Sequence, residues 1–238
     1  MPGFKPITRD ELHAIQDALS GPWAARERAF FALVYHSGLR PRDARRLAFA
    51  DVYRFPRGVV DRIAASDHPR DDQLRAWLGD RQVILGEAAR AALAAWLDVA
   101  REALLYHPAR PLFLDPGHRD RAITLDHLSR LFGAAAAKAG LQGRLSLHSL
   151  RKGWLLDYAA RTNYAFRKVR AAGSGYSSPR KARRAFLRAS EALATMNPAF
   201  GGPEEGVQRQ AGPPQSEVSA AAPLEPTGFR HLRYVRRR

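Results

Sequence analysis

Apolar residues in this chain mostly recur three or four positions apart, the spacing that lines one face of a helix. Around Ile7 to Leu12, Thr8 and Glu11 have the spacing of a capping box, and Ile7 and Leu12 that of a hydrophobic staple. A helix is therefore predicted from there to about Ser20. A second is predicted from about Trp23 to His36, with Phe30, Phe31 and Val34 on its buried face and Gly38 as its stop. A third begins near Pro41 and runs to about Ala48. From 49 to 85 the pattern turns β-prone, with short runs at Val59, Val60 and Ile63 and at Gln82 to Leu85. The polar stretch between them, ASDHPRDDQLRAWLGD, reads as a loop or a short helix.

Helical patterning returns at Gly86 to Leu105, where Leu93, Trp96, Leu97, Ala100 and Leu104 form one stripe. Ile123, Thr124 and Leu128 open another helix that ends near Gly140. Two more are predicted, one from about His148 past Tyr158 and one from Ser178 to Thr195. The fold class is thus mainly α with a small antiparallel β-sheet. After Asn197 periodicity stops. Residues 197–226 are rich in Pro, Gly, Ser and Gln and read as a disordered linker, and 227–238 form a basic tail with five Arg. The ordered body is expected over 1–196.

Composition narrows the chemistry. There is no Cys, which excludes a disulfide framework and thiolate metal sites, and no cofactor or metal site is expected. No run approaches the length of a membrane span, so the expected location is cytoplasmic and nucleoid-associated. Thirty-nine Lys plus Arg against 23 Asp plus Glu leave a formal charge of +16, the balance of a nucleic-acid binder. Because 34 of those cations are Arg, part of the richness reflects codon habit, but the excess over acids does not. The excess is concentrated between Arg151 and Arg188, where 11 cations face one acid, Asp157.

Two segments carry candidate chemistry. One is HSGLRPRDARRLAFADV, residues 36–52, and the other is LSLHSLRKGW, residues 145–154. Together they resemble the two signature boxes of tyrosine recombinases, the phage integrases. Gly38, Leu39, Arg40, Asp43, Leu47 and Asp51 fall in register with the first box and His148 and Arg151 with the H-x-L-R box, 108 residues beyond Arg40. Pro111-Leu112-Phe113 and Ala139-Gly140-Leu141 match landmarks between them, so the likeness spans about residues 7–190. It implies a tyrosine-recombinase catalytic-domain fold in which Arg40 and Arg151 hold a scissile DNA phosphate. Planar, permanently charged guanidinium forks suit that task. It also implies that His148 adds a hydrogen bond or handles a proton. Taken singly, Arg40 is an ordinary solvated Arg beside a helix stop, His148 a capping residue, and Asp43 a first-turn acid favoured by the helix dipole.

The departures from the family pattern are as informative. The hairpin Lys that protonates the leaving 5′ oxygen has no counterpart, because no Lys lies between Asp51 and Arg81. Arg57, Arg62, Arg70, Arg75 and Arg81 lie in that interval, but a guanidinium is a poor proton donor. Ser174-Gly175-Tyr176 occupies the L-G-H box, and counting on to the nucleophilic Tyr reaches Ala185 and Phe186. Phe186 marks a degenerate nucleophile position, since a ring without a hydroxyl cannot attack phosphorus.

Three readings follow. One is a non-catalytic DNA-binding regulator or accessory factor of a mobile element. The other is an active recombinase that forms a 3′-phosphotyrosine with a displaced Tyr: Tyr176 as a fourth catalytic candidate beside Arg40, His148 and Arg151, or Tyr164 or Tyr234. A third, a basic helical protein for RNA or a protein partner, treats the box matches as chance. Expected partners are double-stranded DNA and a second copy of the chain on it. Beyond Arg40, His148 and Arg151, the DNA-backbone candidates are Lys152, Arg180, Lys181, Arg183 and Arg184. The chain begins where the family's catalytic domain usually begins, so short single-domain members are the expected comparison.

Overall fold

The computed structural model describes residues 4–54, 61–62, 74–78, 81–172 and 175–196. The Val59, Val60 and Ile63 run, Arg57, Arg70, Tyr234, the linker and the tail lie outside the described residues. In order come α1 (Arg9–Ala18), α2 (Ala24–Ser37), α3 (Pro41–Ala44), α4 (Phe49–Val52), β1 (Tyr53–Arg54), β2 (Asp61–Arg62), β3 (Leu74–Leu78) and β4 (Arg81–Leu85). There follow α5 (Glu87–Glu102), β5 (Leu114–Asp115), β6 (His118–Ala122), α6 (Leu125–Lys138), α7 (Leu147–Arg161), α8 (Phe166–Ala171) and α9 (Pro179–Met196). This is the mainly α architecture with minor antiparallel β structure that the sequence pattern predicts.

Local signals set most helix starts. Thr8 accepts from the Glu11 N–H while the Glu11 carboxylate accepts from the Thr8 N–H, which completes the capping box. Thr124 caps α6 through the His127 N–H. Gly38 ends α2 at φ +66°, a left-handed conformation that glycine adopts without strain. Helix α2 is buried on nearly every side, and Phe30, Phe31, Leu33 and Val34 are fully enclosed where α1, α5 and α7 pack around it. A smaller cluster of Trp154, Leu155, Ala159, Val169, Ala182 and Phe186 joins α7 to α8 and α9.

Four expectations are corrected. The third helix stops at Ala44 rather than Ala48, because the Asp51 carboxylate takes the Ala48 N–H at 2.7 Å and the Leu47 carbonyl takes the Leu112 N–H at 2.7 Å. Tertiary partners have claimed the backbone groups a longer helix needs. Leu74–Leu78, within the stretch read as loop or helix, pairs antiparallel with Arg81–Leu85, Leu74 opposite Leu85. Leu104 lies past the end of α5 with φ +52° and is 81% exposed, and Leu105 turns into the core in its place. The β5–β6 hairpin and α8 were not anticipated: β6 is polar on both faces and α8 spans six residues.

His36, at the end of α2, gives a pH prediction. Burial, then the fields of Arg9 and Arg161, push its imidazole down from 6.5 to about 4, with Asp157 opposing. Between those values the unfolded chain binds the extra proton, so stability rises with pH and is lost as pH falls from about 6.5 toward 4. Wild type is expected to lose about 1–2 kcal/mol more than His36→Gln between pH 7 and about pH 5. Urea midpoints for the two proteins at both pH values measure it, and parallel losses would refute it.

Candidate phosphate-binding site

Chain geometry fixes Arg40 before its side chain matters. Ser37 donates to the Leu33 carbonyl and accepts the Leu39 N–H, and Gly38 then turns the chain out of α2. Arg40 is extended, as a residue before proline prefers, and serves as N-cap of α3, its carbonyl accepting from the Asp43 and Ala44 N–H groups. Asp43 lies one turn on and pairs at 3.7 Å with the exposed Arg42.

The second half of the site is the head of α7. Ser146 caps it, accepting from the His148 N–H, while Ser149 Oγ accepts from the Ser146 N–H. His148 and Arg151, three residues apart, share a face of the helix. Arg151 is 8% exposed, with its guanidinium carbon 4.4 Å from the Tyr176 ring centroid. Its Nη1 has no hydrogen-bond partner, and among the described residues it forms no ion pair. Burial lowers its pKa first; Tyr176 raises it by charge and hydrogen bond, Arg40 lowers it, and Asp43 raises it. The His148 imidazole is pushed below its ordinary value by burial and then by the fields of Arg151, Lys152 and Arg40.

Arg40, Asp43, His148 and Tyr176, up to 136 residues apart in sequence, therefore all lie within electrostatic reach of Arg151. An enclosed guanidinium in reach of a second cation and an imidazole is complementary to an anion. The open Nη1 supplies a donor for it.

The other candidates are distributed differently. Arg180, Lys181, Arg183 and Arg184 are exposed along α9, whose first turn is capped by Ser178 accepting from the Lys181 N–H. Phe186 points into the smaller core, packed edge-on against Tyr164 and Phe166 at 5.5 Å each. Lys152 is half-buried, with Nζ donating to the Phe4 carbonyl at 2.6 Å rather than standing free for a phosphate. The segment Phe4 to Ile7, which meets α7 there, carries only the Ile7 half of the hydrophobic staple of α1, and the sequence pattern does not mark it as part of the site.

A helical domain with short antiparallel hairpins that brings two arginines and a histidine together has the features of the tyrosine recombinase class. The chain matches the phage integrase family over residues 5–170 and belongs to that family. No curated protein matches it. Among solved structures it is similar to XerA recombinase at 18% identity and a TM-score of 0.59, covering 82% of this chain and 65% of that one. It also resembles XerH site-specific recombinase bound to palindromic difH substrate, at 18% identity and a TM-score of 0.56, covering 81% and 52%. A lambda integrase dimer bound to a COC′ core site gives 18%, 0.50, 76% and 47%. The chain thus spans less than two thirds of each of these proteins, and at such identities the likeness establishes the fold. No described helix is long and apolar enough to cross a membrane.

Proposed function

We propose that this chain binds double-stranded DNA by clamping one backbone phosphate between Arg40 and Arg151, with His148 and the Tyr176 hydroxyl as further ligands, and does not cut it. The observation that carries this reading is the buried Arg151, which forms no ion pair among the described residues and has an open Nη1, in reach of Arg40 and His148. The XerH recombinase structure bound to palindromic difH substrate and the lambda integrase dimer bound to a COC′ core site support duplex DNA as the ligand. Exposed cations on α9 add backbone contacts, which position a protein without reading bases. Loss of cleavage follows from Phe186, a core ring at the expected nucleophile position, and from the Lys-free interval between Asp51 and Arg81. The protein then acts as a regulator or accessory factor of a mobile element, in the cytoplasm, with a second copy on the same duplex. Its DNA-binding body is 1–196, followed by a linker and a basic tail.

One observation favours a second reading: Tyr176 stands against Arg151, so a phenol is present at the site. Cleavage would form a bond from its oxygen to phosphorus and expel the 5′ oxygen, which needs a proton. A nicked suicide duplex decides between them. No SDS-resistant adduct is expected, and an adduct lost in Tyr176→Phe would overturn the non-cleaving reading. For binding itself, Arg40→Ala with Arg151→Ala is expected to weaken duplex affinity by about 100-fold or more, two charge-assisted contacts being removed. Wild type should show a log K against log salt slope of roughly −5 to −9, reduced in magnitude by about 1 in the double variant. Unchanged affinity would refute the clamp.

A further inference from the structure

We infer that residues 4–7 form a brace that holds the His148–Arg151 turn in place, and that Lys152 is a positioning residue of this brace rather than a DNA contact. The inference rests on the phosphate clamp proposed above.

The first turn of a helix is its least secured part, because its N–H groups lack intrahelical partners and such ends open most readily. Here that turn must hold two ligands of one phosphate. The chain from Phe4 to Ile7 crosses it and is fastened at four points. The Lys5 N–H donates to the Arg144 carbonyl at 2.9 Å, just ahead of α7. The Arg144 guanidinium lies over the Phe4 ring, 4.7 Å from its centroid. The Ile7 N–H donates to the Ser149 carbonyl at 3.4 Å, between His148 and Arg151. Lys152 Nζ donates to the Phe4 carbonyl at 2.6 Å.

Two features show that the brace is built into the packing. Gly153 lets the chain lie directly on α7: a Cβ there would stand 2.1 Å from the Ile7 carbonyl oxygen and 2.7 Å from the Tyr35 ring. At its far end the segment runs into the core through Ile7, 2% exposed, and into the capping box of α1 through the Lys5–Glu11 ion pair. Successive helix positions are turned by about 100°, so Lys152 can face the brace while Arg151 faces Tyr176. The ammonium is committed to a backbone carbonyl, and that bond ties the turn to the protein body.

A double-mutant cycle in the full chain tests this. Lys152→Met removes the bond from the α7 side. Phe4→Gly with Lys5→Ala loosens the brace without touching α7. Each is expected to weaken duplex affinity about tenfold, and the combination no more than either alone, because both break one linkage. Lys152→Gln, which keeps an N–H donor, should retain most of the affinity. In the loosened brace, where the Lys152 charge remains, the His148 imidazole should titrate closer to an ordinary histidine, followed by NMR without DNA.

The idea fails if Lys152→Met costs as much in the loosened background as in wild type while the salt slope drops by about 0.9, the mark of a direct phosphate contact. It also fails if neither change alters affinity, or if His148 titrates as in wild type once the brace is loosened. Should wild type not bind duplex DNA at all, the clamp is refuted, and the His148 titration still judges the brace.

Discussion

Gly38→Ala is expected to lower the unfolding free energy by about 2–4 kcal/mol, whereas Gly140→Ala costs about 1 kcal/mol. Both glycines hold positive φ, +66° and +71°, so both variants meet the same backbone strain. They differ in what a methyl would strike. At Gly140 nothing lies within 4 Å, while at Gly38 three atoms of the Trp154 indole stand 2.3–2.7 Å away. That ring is 1% exposed and stacked on Tyr158 at 5.1 Å, so it must shift against packed neighbours to make room. Overpacking a filled core adds roughly 1–3 kcal/mol to the strain. Because Gly38 precedes Arg40 by two residues, the damage should reach the phosphate clamp as well. Denaturant unfolding of both variants is the measurement, and equal losses would show that the indole yields.

The second large effect belongs to Arg26. Its guanidinium is fully buried, donates to the Leu114 carbonyl at 2.6 Å and to Glu27 at 2.8 Å, and sits over the Trp23 ring. Arg26→Ala strands a carboxylate that is itself only 5% exposed and leaves the Leu114 carbonyl without this donor. Removing one partner of an enclosed ion pair costs about 3–5 kcal/mol, while replacing both by apolar groups is often far milder. Arg26→Met with Glu27→Leu should therefore recover at least half of the loss in the same unfolding assay. A double variant no better than Arg26→Ala would mean that the contacts to Leu114 and Trp23, not the charge pair, secure this part of the core.

These features differ in how visibly the sequence announces them. Capping at Thr8, Thr124 and Ser146 and the stop at Gly38 are written in neighbouring residues, so the starts of α1, α6 and α7 and the end of α2 are readable. The early end of α3 is not, since it depends on Asp51 and Leu112, which only folding brings alongside. β6 has no alternation to read because none of its residues is fully buried. At the site, Arg40, His148 and Arg151 are legible as residue types at family spacing. Their burial is not: nothing in the sequence separates the enclosed Arg151 from the exposed Arg180, or the tethered Lys152 from the exposed Lys181. The seating of Phe186 between Tyr164 and Phe166 is likewise a tertiary fact.

The head of α7 has one more consequence. Its N-terminus brings the positive end of a helix dipole to where Arg40, His148 and Arg151 already lie close together. This gathering of positive charge works against the stability of the fold. On the clamp proposed above, a bound phosphate would relieve this repulsion, so duplex DNA is expected to raise the protein's unfolding temperature as it binds.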